Sequence, residues 1–139
     1  MAGNKTLTII KPYAVKDGYT GSILSRINDA GFRITAMRFM HLSIKDAQAF
    51  YAVHKDKNFF DRLTTFMSSG PIVVAILEKD NAVEDYRKLI GATNPLEAAE
   101  GTIRKLFGRN MEANAVHGSD SDENAEIESN FFFSKMERF

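Results

Sequence analysis

The chain has 139 residues, of which 44% are hydrophobic and 26% are charged, a composition typical of globular proteins. Its 18 basic and 18 acidic residues cancel to a net charge of zero, which gives no electrostatic support for binding nucleic acid or a membrane surface. Cysteine is absent, which excludes disulfides, thiolate metal sites and cysteine nucleophiles. The N-terminus shows no signal-peptide pattern, and the longest apolar run, 72–77, is too short to span a bilayer. We therefore expect one domain over 1–139, located in the cytoplasm, with no membrane or specific nucleic-acid partner.

The first half of the chain carries strand and helix patterns in alternation. Pro12 ends the first apolar strand pattern, and Ser43 with Asp46 forms a capping pair that predicts the start of a helix. Tyr51 and His54 lie three residues apart in that helix and therefore share a face. The predicted elements are a strand over 5–11, a helix over 18–30, a strand over 32–42, and helices over 44–54 and 59–68.

The second half continues the alternation and predicts the fold class. Its elements are a strand over 71–79, a helix over 81–90, loops at 92–95 and 101–104, a strand over 111–116, a helix over 122–133 and a tail over 134–139. The order favours an α+β, ferredoxin-like βαββαβ sandwich with a four-stranded antiparallel sheet of mixed strand order, covered on one face by helices. The alternative is a doubly wound parallel sheet.

The most informative stretch is 114–121, in which His117 stands between a strand pattern and a group of small oxygen-bearing side chains. Imidazole is both a good nucleophile and largely neutral near pH 7. Gly118 permits a tight backbone turn, which predicts that His117 is presented just after the end of a strand. Ser119 and Ser121 are natural helix caps for the acidic helix that follows. Taken alone, the His-Gly pair is more typical of an ordinary turn between a strand and a helix with an incidental histidine.

Cationic and polar side chains at the ends of predicted elements indicate phosphate binding. They are Lys11, Arg87, Arg104, Thr93, Asn114, Tyr51 and His54. Guanidinium groups bind phosphate oxygens in bidentate fashion, and neither a P-loop nor a G-x-G-x-x-G string is present. Phosphate would therefore be held by side chains and a metal ion. Asp120 and Asp122 could contact a Mg²⁺ that the substrate carries, although holding its own turn together is the more typical role for Asp120.

These residues closely resemble the nucleoside diphosphate kinase family. The stretch 114–121 matches the active-site signature of that family, and further matching motifs occur in the same order along the chain. They lie at 8–12, 31–32, 51–60, 69–71, 91–95 and 101–104.

The resemblance implies a ping-pong transfer of the γ-phosphate, mainly from ATP, to a nucleoside diphosphate. It implies that His117 becomes phosphohistidine, that Glu128 orients its imidazole, and that Ser119 supports Glu128. It further implies that Arg87, Thr93 and Arg104 hold the phosphates together with Mg²⁺, that Lys11 and Asn114 bind sugar hydroxyls and phosphate oxygens, and that Tyr51 and His54 flank the reacting group. Phe59 would stack on the base, since a π-face accepts every base.

Two further expectations come from the same resemblance. Relatives assemble into homo-oligomers, so a hexamer or a tetramer is expected. The alternative to an active kinase is a nucleotide-binding regulatory protein that keeps the fold and lacks turnover.

Overall fold

The computed structural model describes residues 3–139 and contains one antiparallel sheet with helices on both of its faces. In chain order the elements are β1 (Lys5–Ile10), α1 (Pro12–Lys16), α2 (Thr20–Asp29), β2 (Arg33–Met40), α3 (Ile44–Phe50), α4 (Phe60–Met67), β3 (Ile72–Glu78), α5 (Ala82–Ile90), α6 (Ile103–Phe107), β4 (Val116–Gly118) and α7 (Asp122–Phe132). Two 3₁₀ turns lie at Ala52–His54 and Lys135–Glu137. The strand order is β2-β3-β1-β4, with every neighbouring pair antiparallel. This confirms the ferredoxin-like prediction and excludes the parallel alternative.

The helices cover both faces of the sheet, whereas the sequence predicted one covered face. Successive residues of β3 alternate between two separate apolar clusters, because side chains on a strand point to opposite faces in turn. Val73 and Ala75 pack with α1, α2 and α5, while Ile72 and Val74 pack with α3, α4 and α7. A continuous apolar run in β3 is what a strand buried on both sides requires.

The helix ends follow capping chemistry, and three of them differ from the prediction. The Ser43 hydroxyl accepts from the Asp46 amide at 3.0 Å, as predicted. Pro12 ends β1 and also opens the unpredicted helix α1, because proline suits the first helical position. The Thr102 hydroxyl caps a second unpredicted helix, α6. Helix α3 ends at Phe50, four residues before the predicted end at His54.

The prediction for the final strand was wrong. A strand was predicted over 111–116 with His117 after it, but β4 comprises Val116–Gly118 and contains His117 at its centre. The preceding residue, Ala115, has φ +77°, and the Val116 amide donates back to the Asn114 carbonyl at 3.0 Å. This is a γ-turn with positive φ, a rare and strained conformation for a residue with a side chain. It reverses the chain just before β4 and delays the start of the strand.

Among residues 3–139, no helix is long and apolar enough to cross a membrane.

Gly91 ends α5 with φ +87° and ψ −174°, a region that residues with a Cβ avoid. A Cβ there would lie 2.6 Å from the Thr102 hydroxyl oxygen. We expect Gly91→Ala to lower the free energy of unfolding by about 2 kcal/mol or more, because strain and steric overlap act together. Urea denaturation measures the change.

The matched control is Gly21→Ala in α2, where an added Cβ meets no atom within 4 Å and φ is not positive. Alanine favours a helix over glycine, so this control should keep or raise stability. Equal loss of stability in both variants would contradict the role assigned to Gly91.

Candidate active site

A cavity of about 590 Å³ opens beside β4 and collects nearly all of the predicted site residues. Its walls come from the α3–α4 region, the end of α5, α6, β4 and α7. The predicted residues that line it are Lys11, Tyr51, His54, Phe59, Arg87, Thr93, Arg104, Asn114, His117, Asp120 and Glu128. Ser119 is fully buried behind this surface and reaches the site through Glu128.

The His117 imidazole is held by Glu128 from the second turn of α7. Imidazole Nε2 lies 2.8 Å from Glu128 Oε1, and both side chains are about four-fifths buried. The Ser119 hydroxyl donates to the same carboxylate oxygen at 2.8 Å and accepts from the Leu7 amide at 3.2 Å. An ionised carboxylate only accepts hydrogen bonds, so Nε2 carries the proton and Nδ1 keeps its lone pair. The arrangement leaves Nδ1 as the ring nitrogen whose lone pair can act as a nucleophile.

Aromatic rings enclose the imidazole on the α3 side. The Phe50 ring meets the His117 ring edge-on, with 5.6 Å between centroids. Tyr51 is buried next to Phe50, and burial together with the nearby Glu128 charge raises the pKa of its phenol, which therefore stays protonated. The Tyr51 ring stacks on the His54 ring, with 6.5 Å between the ring centroids. The two rings share a face as predicted, because the 3₁₀ turn that replaces the end of the predicted helix aligns residues three apart.

Lys11 and Asn114 form a buried polar pair at the inner end of the cavity. Lys11 Nζ donates to Asn114 Oδ1 at 2.6 Å and to the Glu112 carbonyl at 3.3 Å. The Asn114 amide nitrogen donates to the Thr93 carbonyl at 3.1 Å. Burial, assisted by the positive charge of Arg104, lowers the pKa of Lys11 to about 7. Burial thus disfavours the charged ammonium form, and a bound anion would stabilise it.

Two arginines, Arg87 and Arg104, also line the cavity. Arg104 Nη1 donates to the Gly91 carbonyl at 3.1 Å, and Nη2 donates to the Val116 carbonyl at 3.0 Å. These bonds fix the guanidinium against the outer edge of β4, and its burial lowers the pKa of Arg104 to about 10. Arg87 at the end of α5 lies close enough to lower that pKa further. Like charges gathered in this way favour a polyanionic ligand.

Exposed aromatic and apolar side chains also line the cavity. The His54 and Phe59 rings lie 5.6 Å apart, and the partly exposed Phe59 side chain faces the opening. Met111 is exposed on the loop before β4 and lines the same cavity. An ion pair between Arg62 Nε and Glu112 Oε2, 2.6 Å long, joins α4 to that loop.

Sequence reasoning missed Phe50 and Met111 as cavity residues. The prediction had assigned Phe50 to the body of a helix and Met111 to a strand, where each would read as a core side chain. The only signal for Phe50 was that it directly precedes the candidate residue Tyr51, and this signal is weak. Met111 had no sequence signal, because its exposure depends on the unpredicted loop before β4.

The donor set suits a metal ion that arrives bound to phosphate. No group of three or more His, Asp or Glu side chains able to hold a metal ion occurs within residues 3–139. The cavity wall includes the Asp120 carboxylate, which also accepts from the Asn124 side chain at 2.6 Å. Mg²⁺ commonly binds one or two carboxylates plus substrate phosphates, so one carboxylate fits. Asp122 points elsewhere and accepts from the Gly3 amide at 2.9 Å.

Comparison with known proteins agrees with this geometry. The model of the family described as "Nucleoside diphosphate kinase" matches residues 4–138. A nucleoside diphosphate kinase from Flavobacterium psychrophilum is 58% identical to this chain, and the match covers 100% of both sequences.

Two solved structures show the same fold. The nucleoside diphosphate kinase of Aquifex aeolicus has a TM-score of 0.97 at 42% identity, with 99% of this chain and 100% of that chain covered. The halophilic enzyme of Halobacterium salinarum, solved in complex with CDP, has a TM-score of 0.94 at 35% identity over 99% of this chain and 91% of that chain. On these grounds, together with the histidine-centred cavity, the chain belongs to the nucleoside diphosphate kinase family and is a phosphotransferase that acts on nucleotides.

Proposed function

We propose that His117 is the nucleophile of the nucleoside diphosphate kinase reaction in this chain, which acts over 1–139 as a single domain. The lone pair of Nδ1 attacks the γ-phosphorus of a nucleoside triphosphate, mainly ATP. The bond from that phosphorus to the β,γ-bridging oxygen breaks, and the nucleoside diphosphate leaves with the electron pair. A β-phosphate oxygen of a second nucleoside diphosphate then attacks the same phosphorus, the bond from phosphorus to Nδ1 breaks, and Nδ1 regains its lone pair. The hydrogen bond from Nε2 to Glu128 carries this proposal, since it leaves Nδ1 as the free nitrogen.

Glu128 and Ser119 would keep the imidazole ready for attack. As Nδ1 bonds to phosphorus, positive charge develops on the ring, and the adjacent Glu128 carboxylate stabilises it. The Ser119 hydroxyl holds that carboxylate in place from the buried side. Tyr51 and His54 would flank the transferred phosphoryl group from the α3 side of the cavity.

The cations and amides around the cavity would bind the polyphosphate. Arg87, Arg104 and Thr93 would hold phosphate oxygens, while Lys11 and Asn114 would bind a sugar hydroxyl and a nearby phosphate oxygen. Because phosphoryl transfer depends mainly on positioning and charge stabilisation, fixed cations are the chief need. The two backbone carbonyls that bind Arg104 supply such fixation.

Phe59 would stack on the base at the mouth of the cavity, with Met111 lining the same region. Stacking on an aromatic face is worth roughly 1–3 kcal/mol per base and discriminates little between bases. Broad acceptance of nucleotides follows. The halophilic relative was solved in complex with CDP, a pyrimidine nucleotide, which supports this breadth.

Kinases of this family act with a divalent cation, and we propose that it is Mg²⁺. The phosphates themselves and Asp120 would hold the ion. When bound, it would neutralise part of the phosphate charge. This assignment rests on the Asp120 carboxylate in the cavity wall, because Mg²⁺ commonly binds one or two carboxylates and keeps several waters.

We also propose that the chain forms a homo-oligomer, a hexamer or a tetramer, in the cytoplasm. The support for assembly is the outer strand β2, which exposes Met37 and Phe39. Exposed apolar side chains on an edge strand favour pairing with another chain. Sedimentation equilibrium would distinguish the two assemblies by mass.

We expect His117→Ala to form no phosphoenzyme and to lose turnover, because no other group would replace the attacking nitrogen. The measurement is a pulse-chase: γ-labelled ATP with Mg²⁺, removal of nucleotide, then unlabelled GDP. The wild-type protein should carry acid-labile label that moves to GTP.

His41→Ala is the matched control, because His41 bonds to the Ser68 carbonyl at 2.7 Å and does not line the cavity. Turnover retained in His117→Ala would contradict the assignment. A wild-type protein that binds ATP without becoming labelled would favour the regulatory alternative.

Glu128→Ala should slow single-turnover phosphorylation about 10- to 100-fold while nucleotide still binds, since an orienting carboxylate is lost. Quench-flow measures the rate, and titration measures binding. Glu126→Ala, an exposed carboxylate on the same helix, is the control. Equal rates in wild type and Glu128→Ala would exclude the orienting role.

Lys11 should give the nucleotide-free protein a distinctive pH dependence. Its pKa is about 7 in the folded state and 10.5 in the unfolded chain, so the unfolded chain binds one more proton between these values. Stability should therefore rise with pH between about 7.5 and 9.5, by about 1 kcal/mol per pH unit from this group.

Urea denaturation of the wild type and of Lys11→Met at several pH values measures this rise, with the exposed Lys45→Met as the control. The slope should be smaller in Lys11→Met because the titrating group is gone. Equal slopes of stability against pH in wild type and Lys11→Met would show that burial does not lower the pKa of Lys11.

A further inference from the structure

Two buried hydroxyls lie behind His117, on the side of the sheet away from its imidazole. Thr8 in β1 and Tyr86 in α5 are both fully buried. Their hydroxyl oxygens are 2.6 Å apart, and the Thr8 hydroxyl donates to the His117 carbonyl at 2.9 Å. The mechanism proposed above uses neither residue, and neither lines the cavity.

Counting protons gives the chain of hydrogen bonds a direction. The His117 carbonyl only accepts, so the single Thr8 hydroxyl proton is committed to it. Tyr86 must therefore donate its own proton to Thr8. Burial raises the pKa of the Tyr86 phenol, so this proton stays in place. The result is a directed relay from Tyr86 through Thr8 to the backbone of His117, in which each bond polarises the next.

The Tyr86 ring also limits the position of the next residue. A Cβ on Gly118 would lie 3.0 Å from Tyr86 Cδ2 and 3.1 Å from Ile90 Cδ1. Gly118 has no positive φ, so glycine is favoured here by the close approach of α5, and the expected tight turn at Gly118 is absent. The Phe32 ring packs edge-on against the Tyr86 ring, with 5.5 Å between the ring centroids.

The backbone of His117 needs additional support because β4 is short and lies at the edge of the sheet. β4 has three residues, pairs only with β1 and follows the strained Ala115. In this pairing Ile9 lies opposite His117, and the imidazole extends toward α7 and Glu128 on the opposite face. A small shift of such a short strand would move Nδ1 directly.

We propose that Thr8 and Tyr86 are positioning residues that set the backbone of the nucleophile His117, complementing the hold of Glu128 on its ring. The proposal rests on the assignment of His117 as the nucleophile. Thr8 and Tyr86 act through the His117 carbonyl and contact no substrate. They determine how often Nδ1 lies in line with the γ-phosphorus, and nucleotide binding does not depend on them.

The test uses variants that remove one hydroxyl and keep the surrounding shape. Tyr86→Phe keeps the ring under Gly118, Thr8→Val keeps the branched side chain, and Thr8→Ser restores the hydroxyl. Thr35→Val is the matched control, because the buried Thr35 on β2 donates to the Ile76 carbonyl at 3.4 Å, away from the cavity. Single-turnover phosphorylation of His117, nucleotide Kd and the unfolding midpoint are measured for each full-length variant.

We expect Tyr86→Phe and Thr8→Val to slow phosphorylation about five- to tenfold, the effect of losing one buried hydrogen bond. Their nucleotide Kd should stay close to the wild-type value. Thr8→Ser should recover most of the rate, and Thr35→Val should keep it. The double variant should be no slower than the slower single variant, because the two hydroxyls form one relay.

Wild-type rates in both single variants would overturn the proposal. So would an equal loss in Thr35→Val, or a rate that follows the unfolding midpoint and is not restored by Thr8→Ser. If Tyr86→Phe fails to fold, the Thr8→Val and Thr8→Ser pair decides alone. Absence of label on wild-type His117 would instead contradict the proposed nucleophile, so the two failures are distinguishable.

Discussion

The pairing of β4 with β1 is the constraint on which the site depends. Ile9 lies opposite His117, and the Lys11 amide donates to the Ala115 carbonyl at 2.9 Å. These contacts join residues more than 100 positions apart and place the end of β1 beside the start of β4. Lys11 and Asn114 meet at 2.6 Å as a direct consequence. β1 is a rigid reference for this pairing because it also pairs with β3 along its whole length.

The two faces of the sheet contribute different parts of the site. On one face, α7 brings Glu128 to the His117 ring, because the Ser121 cap begins that helix shortly after β4. On the other face, α5 brings Tyr86 under the backbone of the same strand. Side chains that alternate across a strand allow both contacts at adjacent residues. The proposed nucleophile, which lies on a three-residue edge strand, is thus restrained from two directions.

Function also explains the features that lower stability. Lys11 is buried with a strongly lowered pKa, Arg104 is partly desolvated, and Ala115 has a positive φ. Lys11 and Arg104 line the cavity that collects the predicted phosphate-binding residues, and Ala115 directly follows Asn114, which also lines it. Desolvated cations interact more strongly with phosphate than exposed ones do, since the local dielectric is lower. Local strain concentrated at such a site is typical of enzymes.

Elements with a strong apolar period were predicted within two residues, as β3, α2 and α5 show. The errors fall where a few local residues compete with long-range contacts. Pro12 and Thr102 open short helices that have too few residues for a periodic pattern. The strand pattern over 111–116 was overridden by the turn at Ala115, and Gly118 is favoured by the closeness of the Tyr86 ring and not by its own φ. The contact between Gly118 and Tyr86 depends on a neighbour that is distant in sequence.

The sequence by itself determined the family resemblance, the fold class and the types of side chain at the site, because these depend on residue identity and periodic patterns. Tertiary structure decided which groups touch. It showed that Nε2 of His117 is bonded to Glu128 and that Nδ1 is free, that Phe50 and Met111 line the cavity, and that helices cover both faces of the sheet. The physical reason is that a hydrogen bond depends on positions within a few tenths of an ångström, which only the packing of distant elements establishes.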